Sequence, residues 1–140
     1  MATLRAAAPS DVAAIVGLIR ELAEFEKLTH LVEVTPQSLH PQLFGEQPAA
    51  EAVVAEHEAK VIGFALFFTN FSTFLGKPGL YLEDLYVQPA FRGSGVGAAL
   101  LRQYPHQPHG GQVHREGQDL LKRLHPGARS GQPARQCRNK

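Results

Sequence analysis

Apolar positions along the first hundred residues follow two rhythms, and each change of rhythm marks an element. Val12, Ile15, Val16, Ile19 and Leu22 fall at helical spacing on one face, which predicts an amphipathic helix. Ser10 precedes it as a candidate N-cap, and Asp11 in the first turn suits the helix dipole. The helix is expected to run to about Lys27, through Glu21, Glu24 and Glu26. Residues 3–7 read as a short first strand. Thr35-Pro36 opens a second, shorter helix, because proline is pre-organised for the first helical position, and Gly45 closes it. Residues 51–56 are strand-like, and 57–60 form a polar connection of hairpin length. Residues 61–69 are apolar on both faces, as a central strand should be. The Ser, Thr, Gly and Pro content of 70–79 predicts a loop. Residues 80–87 read as the next strand, 88–94 as a turn and 95–103 as a helix.

The texture changes at Tyr104. Residues 104–140 hold five Gly, four Pro, five Gln and four His, with Val113, Leu120, Leu121 and Leu124 as the only large aliphatics. Such a segment cannot bury enough apolar surface to offset the cost of ordering it, so a disordered tail is expected. Charge divides at the same point. Seven Lys/Arg face eleven Asp/Glu before residue 104, and seven face two after it, within an overall net charge of +1. The body is thus acidic, a reasonable receptor for a cation, and the tail is basic. Arg, Pro, Gly, His and Gln without periodicity also fit an out-of-frame reading of a GC-rich gene, so a frameshifted origin for 104–140 is one expectation. The four tail histidines, His106, His109, His114 and His125, have irregular spacing and no partner set for a metal.

At 140 residues the chain suits one domain. Its single cysteine, Cys137, excludes an internal disulfide. No charged n-region leads into an apolar core, and no apolar run approaches the ~20 residues of a membrane helix. The expected setting is cytoplasmic.

Candidate chemistry gathers at 80–98. An apolar, aromatic strand interrupted only by Glu83 and Asp84 runs into Arg92, Gly93, Ser94, Gly95, Val96, Gly97 and Ala98, where a helix begins. Glycines there let the backbone approach a ligand, and the first N–H groups of a helix lack intrahelical acceptors. With the helix dipole and the Arg92 charge they suit phosphate or pyrophosphate. Glycines after a strand also serve as plain turns. Ionised carboxylates are costly to bury unpaired, so at least one of Glu83 and Asp84 should face solvent or a cleft.

The order strand, helix, helix, three strands, then Arg92-Gly93-Ser94-Gly95-Val96-Gly97 opening a helix resembles the GCN5-related N-acetyltransferase (GNAT) family. The acetyl-CoA signature of that family, Gln/Arg-x-x-Gly-x-Gly/Ala, is met by Arg92, Gly95 and Gly97. Residues 19–27, 44–46, 63–68 and 81–87 resemble the diamine branch, the spermidine/spermine and thialysine acetyltransferases. The resemblance covers about residues 3–103. It implies a mixed, mostly antiparallel α/β sheet flanked by helices, here truncated on its C-terminal side. It also implies that Leu85, Tyr86 and Val87 hydrogen-bond the pantetheine arm of acetyl-CoA, and that the turn from Arg92 to Ala98 holds its pyrophosphate. Phe25, Glu26 and Asp84 would border a primary amine, and Glu83 would accept its proton.

Two departures stand out. Ser72 and Phe74 occupy a loop where polyamine-type members often carry an acidic residue and a tryptophan. The only tyrosine after Arg92 is Tyr104, which ends the cofactor helix and is no match for the family's leaving-group acid. The resemblance therefore implies amine N-acetylation by lineage in a chain expected to be inactive. The alternative is a non-catalytic acetyl-CoA-binding or dimerising module. A small-molecule amine is the expected partner, with a homodimer as an option through the open edge of the 80–87 strand; nucleic acid and membrane are not expected.

Overall fold

The computed structural model describes residues 2–103. The expected disordered or frameshifted tail at 104–140, with its histidines and Tyr104, lies outside those residues.

The chain runs β1 (Thr3–Ala6), α1 (Val12–Phe25), α2 (Pro36–Phe44), β2 (Glu51–His57), β3 (Lys60–Ser72), β4 (Lys77–Val87) and α3 (Val96–Gln103), with three single-turn 3-10 segments between them. The strands form one antiparallel sheet in the order β1-β2-β3-β4. Hydrogen bonding thus follows sequence order: β2–β3 and β3–β4 are hairpins, and β1 pairs with β2 across the two helices between them. Ile62 to Phe67 of β3 are all buried, which demands cover on both faces. α1 and α3 both pack on β3 and β4 and supply it. Val12, Ile15, Val16, Leu18 and Leu22 form the buried stripe of α1, and Val96 and Leu100 that of α3.

Three expectations change. Ser10 does not cap α1: it lies exposed in the turn Pro9–Asp11, and Asp11 takes the N-cap position. The Asp11 carboxylate accepts from the Ala8 amide at 2.7 Å and from two Arg5 nitrogens at 2.6 and 3.0 Å. These three donors all lie before the helix, so the carboxylate anchors the entry to α1 and makes no side-chain cap on the helix amides. Second, α1 stops at Phe25. Lys27 adopts a left-handed φ of 58°, its amide bonds Glu24 O, and the Leu28 amide bonds Ala23 O. This is a Schellman ending with lysine where glycine is usual. Third, residues 70–79 are mostly strand. β3 and β4 continue in register as far as Ser72 opposite Lys77, leaving only a tight turn at 73–76. Turn-rich composition misled because cross-strand hydrogen bonds, not propensity, carry the ladder there.

The second helix matches expectation closely. Thr35 and Ser38 form a reciprocal capping box, Pro36 takes the first helical position, and the Gly45 amide bonds Pro41 O at 2.9 Å.

Candidate active site

The β3–β4 ladder skips one residue. Leu66 pairs with Asp84 and Phe67 with Leu82, so Glu83 has no partner across the strand. This bulge shifts the parity of β4. Leu80 and Leu82 are buried before it, Leu85 and Val87 after it. Glu83 and Asp84 are therefore turned together toward the opposite side, the side where Tyr86 meets α1. A regular strand would have sent two successive carboxylates to opposite faces.

Glu83 is exposed and Asp84 half-buried. Burial pushes the Asp84 carboxyl up to about 6, reinforced by the negative charges of Glu83 and Glu26. Glu26 reaches this group because the Schellman turn fixes the end of α1. Glu24 and Glu26 sit at the negative end of that helix's dipole, an unfavourable place for acids. Carboxylates from two elements thus converge with a helix C-terminus, which makes a field suited to a cation.

A second cluster joins α1 to the end of β4. The guanidinium carbon of Arg92 lies 5.2 Å from the Phe25 ring centroid and 5.3 Å from that of Tyr86, within cation–π range of both. Its Nε donates to the Val87 carbonyl at 2.8 Å, while Nη2 is buried without a hydrogen-bond partner. One turn before Phe25, the Glu21 carboxylate accepts from Gln88 Nε2 at 3.1 and 3.3 Å. Burial and Glu21 raise the Tyr86 phenol, and Arg92 opposes them. Phe25 remains 51% exposed, so the ring that covers Arg92 also faces solvent.

Past this cluster the chain turns into α3. Gly93 and Gly95 adopt φ values of 81° and 86°, conformations that cost other residues strain. Nothing lies within 4 Å of a Cβ added at either, so the turn is open as well as left-handed. The Ser94 hydroxyl closes back on Phe91 O at 2.7 Å. Val96 and Gly97 are buried, and Ala98 is half-buried, at the first turn of α3. Beside it, Leu85, Tyr86 and Val87 end β4, whose outer edge carries no strand among the described residues. An open strand edge leading to a left-handed glycine turn and a helix N-terminus can take an extended group that ends in a phosphate.

The structure thus gathers Phe25, Glu26, Glu83 and Asp84 at one end of α1, and places Leu85 to Val87 next to the turn from Arg92 to Ala98. It aims the Arg92 side chain between two rings. Sequence reasoning passed over Glu21 and Gln88, which no local pattern marks. The bulge did leave a trace in the sequence: the apolar set switches from 80 and 82 to 85 and 87.

The profile of the acetyltransferase (GNAT) family matches residues 17–106. The chain is 39% identical over 108 residues to the thialysine N-epsilon-acetyltransferase of Mus musculus, covering 71% of this chain and 63% of that protein. It is 34% identical over 107 residues to the spermidine/spermine N(1)-acetyltransferase-like protein 1 of Homo sapiens, covering 71% of this chain and 15% of the other. It therefore spans less than two thirds of the length of either relative. Among solved structures, a ribosomal-protein-alanine N-acetyltransferase from Brucella melitensis superposes with a TM-score of 0.65 at 17% identity, covering 99% of each chain. An aminoglycoside acetyltransferase from an uncultured soil sample gives 0.64 at 19%, covering 99% of this chain and 97% of that one. These two likenesses concern the fold.

Proposed function

The chain belongs to the GNAT acetyltransferase family, and on that premise we propose that it serves the transfer of an acetyl group from acetyl-CoA to the primary amine of a diamine or of an amino-acid side chain. The observation that carries this reading is the bulge at Glu83. It turns two carboxylates toward the C-terminal end of α1, where Glu26 adds a third, and so builds a cation site next to the cofactor edge. Relatives named for thialysine and spermidine/spermine support an amine carried on a flexible chain.

On the open edge, Leu85 and the Val87 N–H are free to meet the pantetheine arm. The Val87 carbonyl is held by Arg92, and Tyr86 pairs with Phe64 across the ladder. Gly93 to Ala98 offer backbone amides to the pyrophosphate. Acetyl-CoA, when bound, supplies a thioester whose carbonyl carbon takes the amine and whose thiolate leaves. The chain's own task is to hold the ammonium, remove one proton and keep the free amine in line. Glu26 and Glu83 draw and orient the cation. Asp84 is the better proton acceptor, in place of Glu83, because burial holds it near neutrality and a base works best close to the operating pH. Juxtaposition of amine and thioester then supplies much of the rate.

A second reading, a cofactor-binding or dimerising module without chemistry, is favoured by the open edge of β4, which suits a strand from a second copy as well as a ligand. Titration calorimetry with acetyl-CoA, joined to a thiol-release assay with diamines, tests both. Amine-dependent thiol release supports transfer. Binding without release supports the module, and absence of both sinks the acetyl-CoA reading.

A further inference from the structure

We propose that Arg92 is a positioning residue that locks the amine-side wall to the cofactor-side strand end, and that it does not bind the cofactor's phosphates. The inference rests on the acetyl-CoA reading above and assigns one residue within it. A phosphate ligand in a signature of this kind would be expected to project its guanidinium to solvent. Here two of its three nitrogens are committed inward. Nε donates to Val87 O at 2.8 Å, and Nη2 is buried with no hydrogen-bond acceptor. A buried N–H without an acceptor is costly, and the π faces of Phe25 and Tyr86, about equally distant from the guanidinium carbon, offset that cost.

The arrangement has a direction. Val87 ends β4, and its carbonyl lies where the strand gives way to the turn. Phe25 is the last residue of α1 and borders the acidic cluster. Arg92 contacts both. Displacing its plane frees the Phe25 ring and loosens the end of β4 together, so amine and cofactor sites are coupled through one side chain. Lysine cannot reproduce this link, since it has neither a planar fork nor an Nε–H set back from its tip.

The test uses the full chain and compares two ligands, coenzyme A and acetyl-pantetheine, the latter carrying the arm without any phosphate. Arg92→Gln is expected to weaken both by the same factor, about tenfold, and Arg92→Lys is expected not to rescue either. Loss confined to coenzyme A, with rescue by lysine, would overturn the proposal. A measurement without ligand separates this from the wider reading. In Arg92→Gln, amide exchange at Gln88, whose N–H bonds Ile62 O, should accelerate about tenfold while exchange in α1 before Leu22 is unchanged. If wild type binds neither ligand, the acetyl-CoA reading fails, and unchanged Gln88 exchange then rejects the Arg92 link by itself.

Discussion

Leu66 of β3 stands opposite Asp84 of β4, with Glu83 left over between this pair and the next. The carboxyl of Asp84 is thereby placed against the sheet and beside two other acids, and its burial has a stability consequence whose sign is fixed. Its folded pKa, about 6, exceeds the ordinary 3.8. Between those values the folded chain binds more protons than the unfolded one, so stability falls as pH rises from about 4 to about 6. Asp84→Asn is expected to be more stable than wild type at pH 7 by up to about 3 kcal/mol. Below pH 4 the difference should vanish. Urea unfolding at both pH values checks this. The same variant should lose most amine acetylation, whereas Glu83→Gln should chiefly weaken amine binding.

Asp11 carries the opposite sign. Its hydrogen bond from Arg5 is the chief cause that holds its pKa below the ordinary value, so its contribution is present above about pH 4 and is lost as pH falls further. Arg5 also donates to Glu56 at 2.6 Å, which joins β1, β2 and the entry to α1. Asp11→Ala is expected to cost about 2 kcal/mol, less than a fully buried pair because Arg5 is one-third exposed. Thermal unfolding at pH 7 and pH 3 should show the gap closing in acid.

The β2–β3 hairpin turns on Glu58 and Ala59, both left-handed at φ 49° and 62°. A two-residue turn of this kind favours Asn-Gly. Replacing Glu58-Ala59 by Asn-Gly is expected to stabilise the chain by about 1 kcal/mol without altering ligand affinity. Denaturant midpoints read the first effect and calorimetry the second.

Two glycines should respond oppositely to alanine. Gly17 lies exposed within α1 with open space around it, so Gly17→Ala should gain about 0.8 kcal/mol from helix propensity. Gly95 has equal space but a φ of 86°. Gly95→Ala should lose about 1–2 kcal/mol to backbone strain and weaken coenzyme A binding, because the amides of the turn must re-aim.

Local chemistry made much of this fold legible. The stripe from Val12 to Leu22, the Thr35-Pro36 start and the glycine-marked opening of α3 are set by neighbours in sequence. Long-range contacts decided the rest. Asp11 displaced Ser10 because Arg5 arrives from β1, and residues 70–72 and 77–79 became strand because each arm of the hairpin satisfies the other. The inward turn of Arg92 depends on Phe25, far upstream on α1, so no spacing near the glycine motif announces it. The paired outlook of Glu83 and Asp84 was readable only from the parity change around them.

A strand that carries one extra residue cannot be straightened by exchanging side chains; only a deletion or insertion restores its count. The shared bearing of positions 83 and 84 is thus a property of chain length, independent of what those positions hold. Their chemistry can drift from carboxylate to amide or hydroxyl while their aim stays fixed. Changes in the ligand that this pair of positions prefers are therefore accessible one substitution at a time, with the scaffold unmoved.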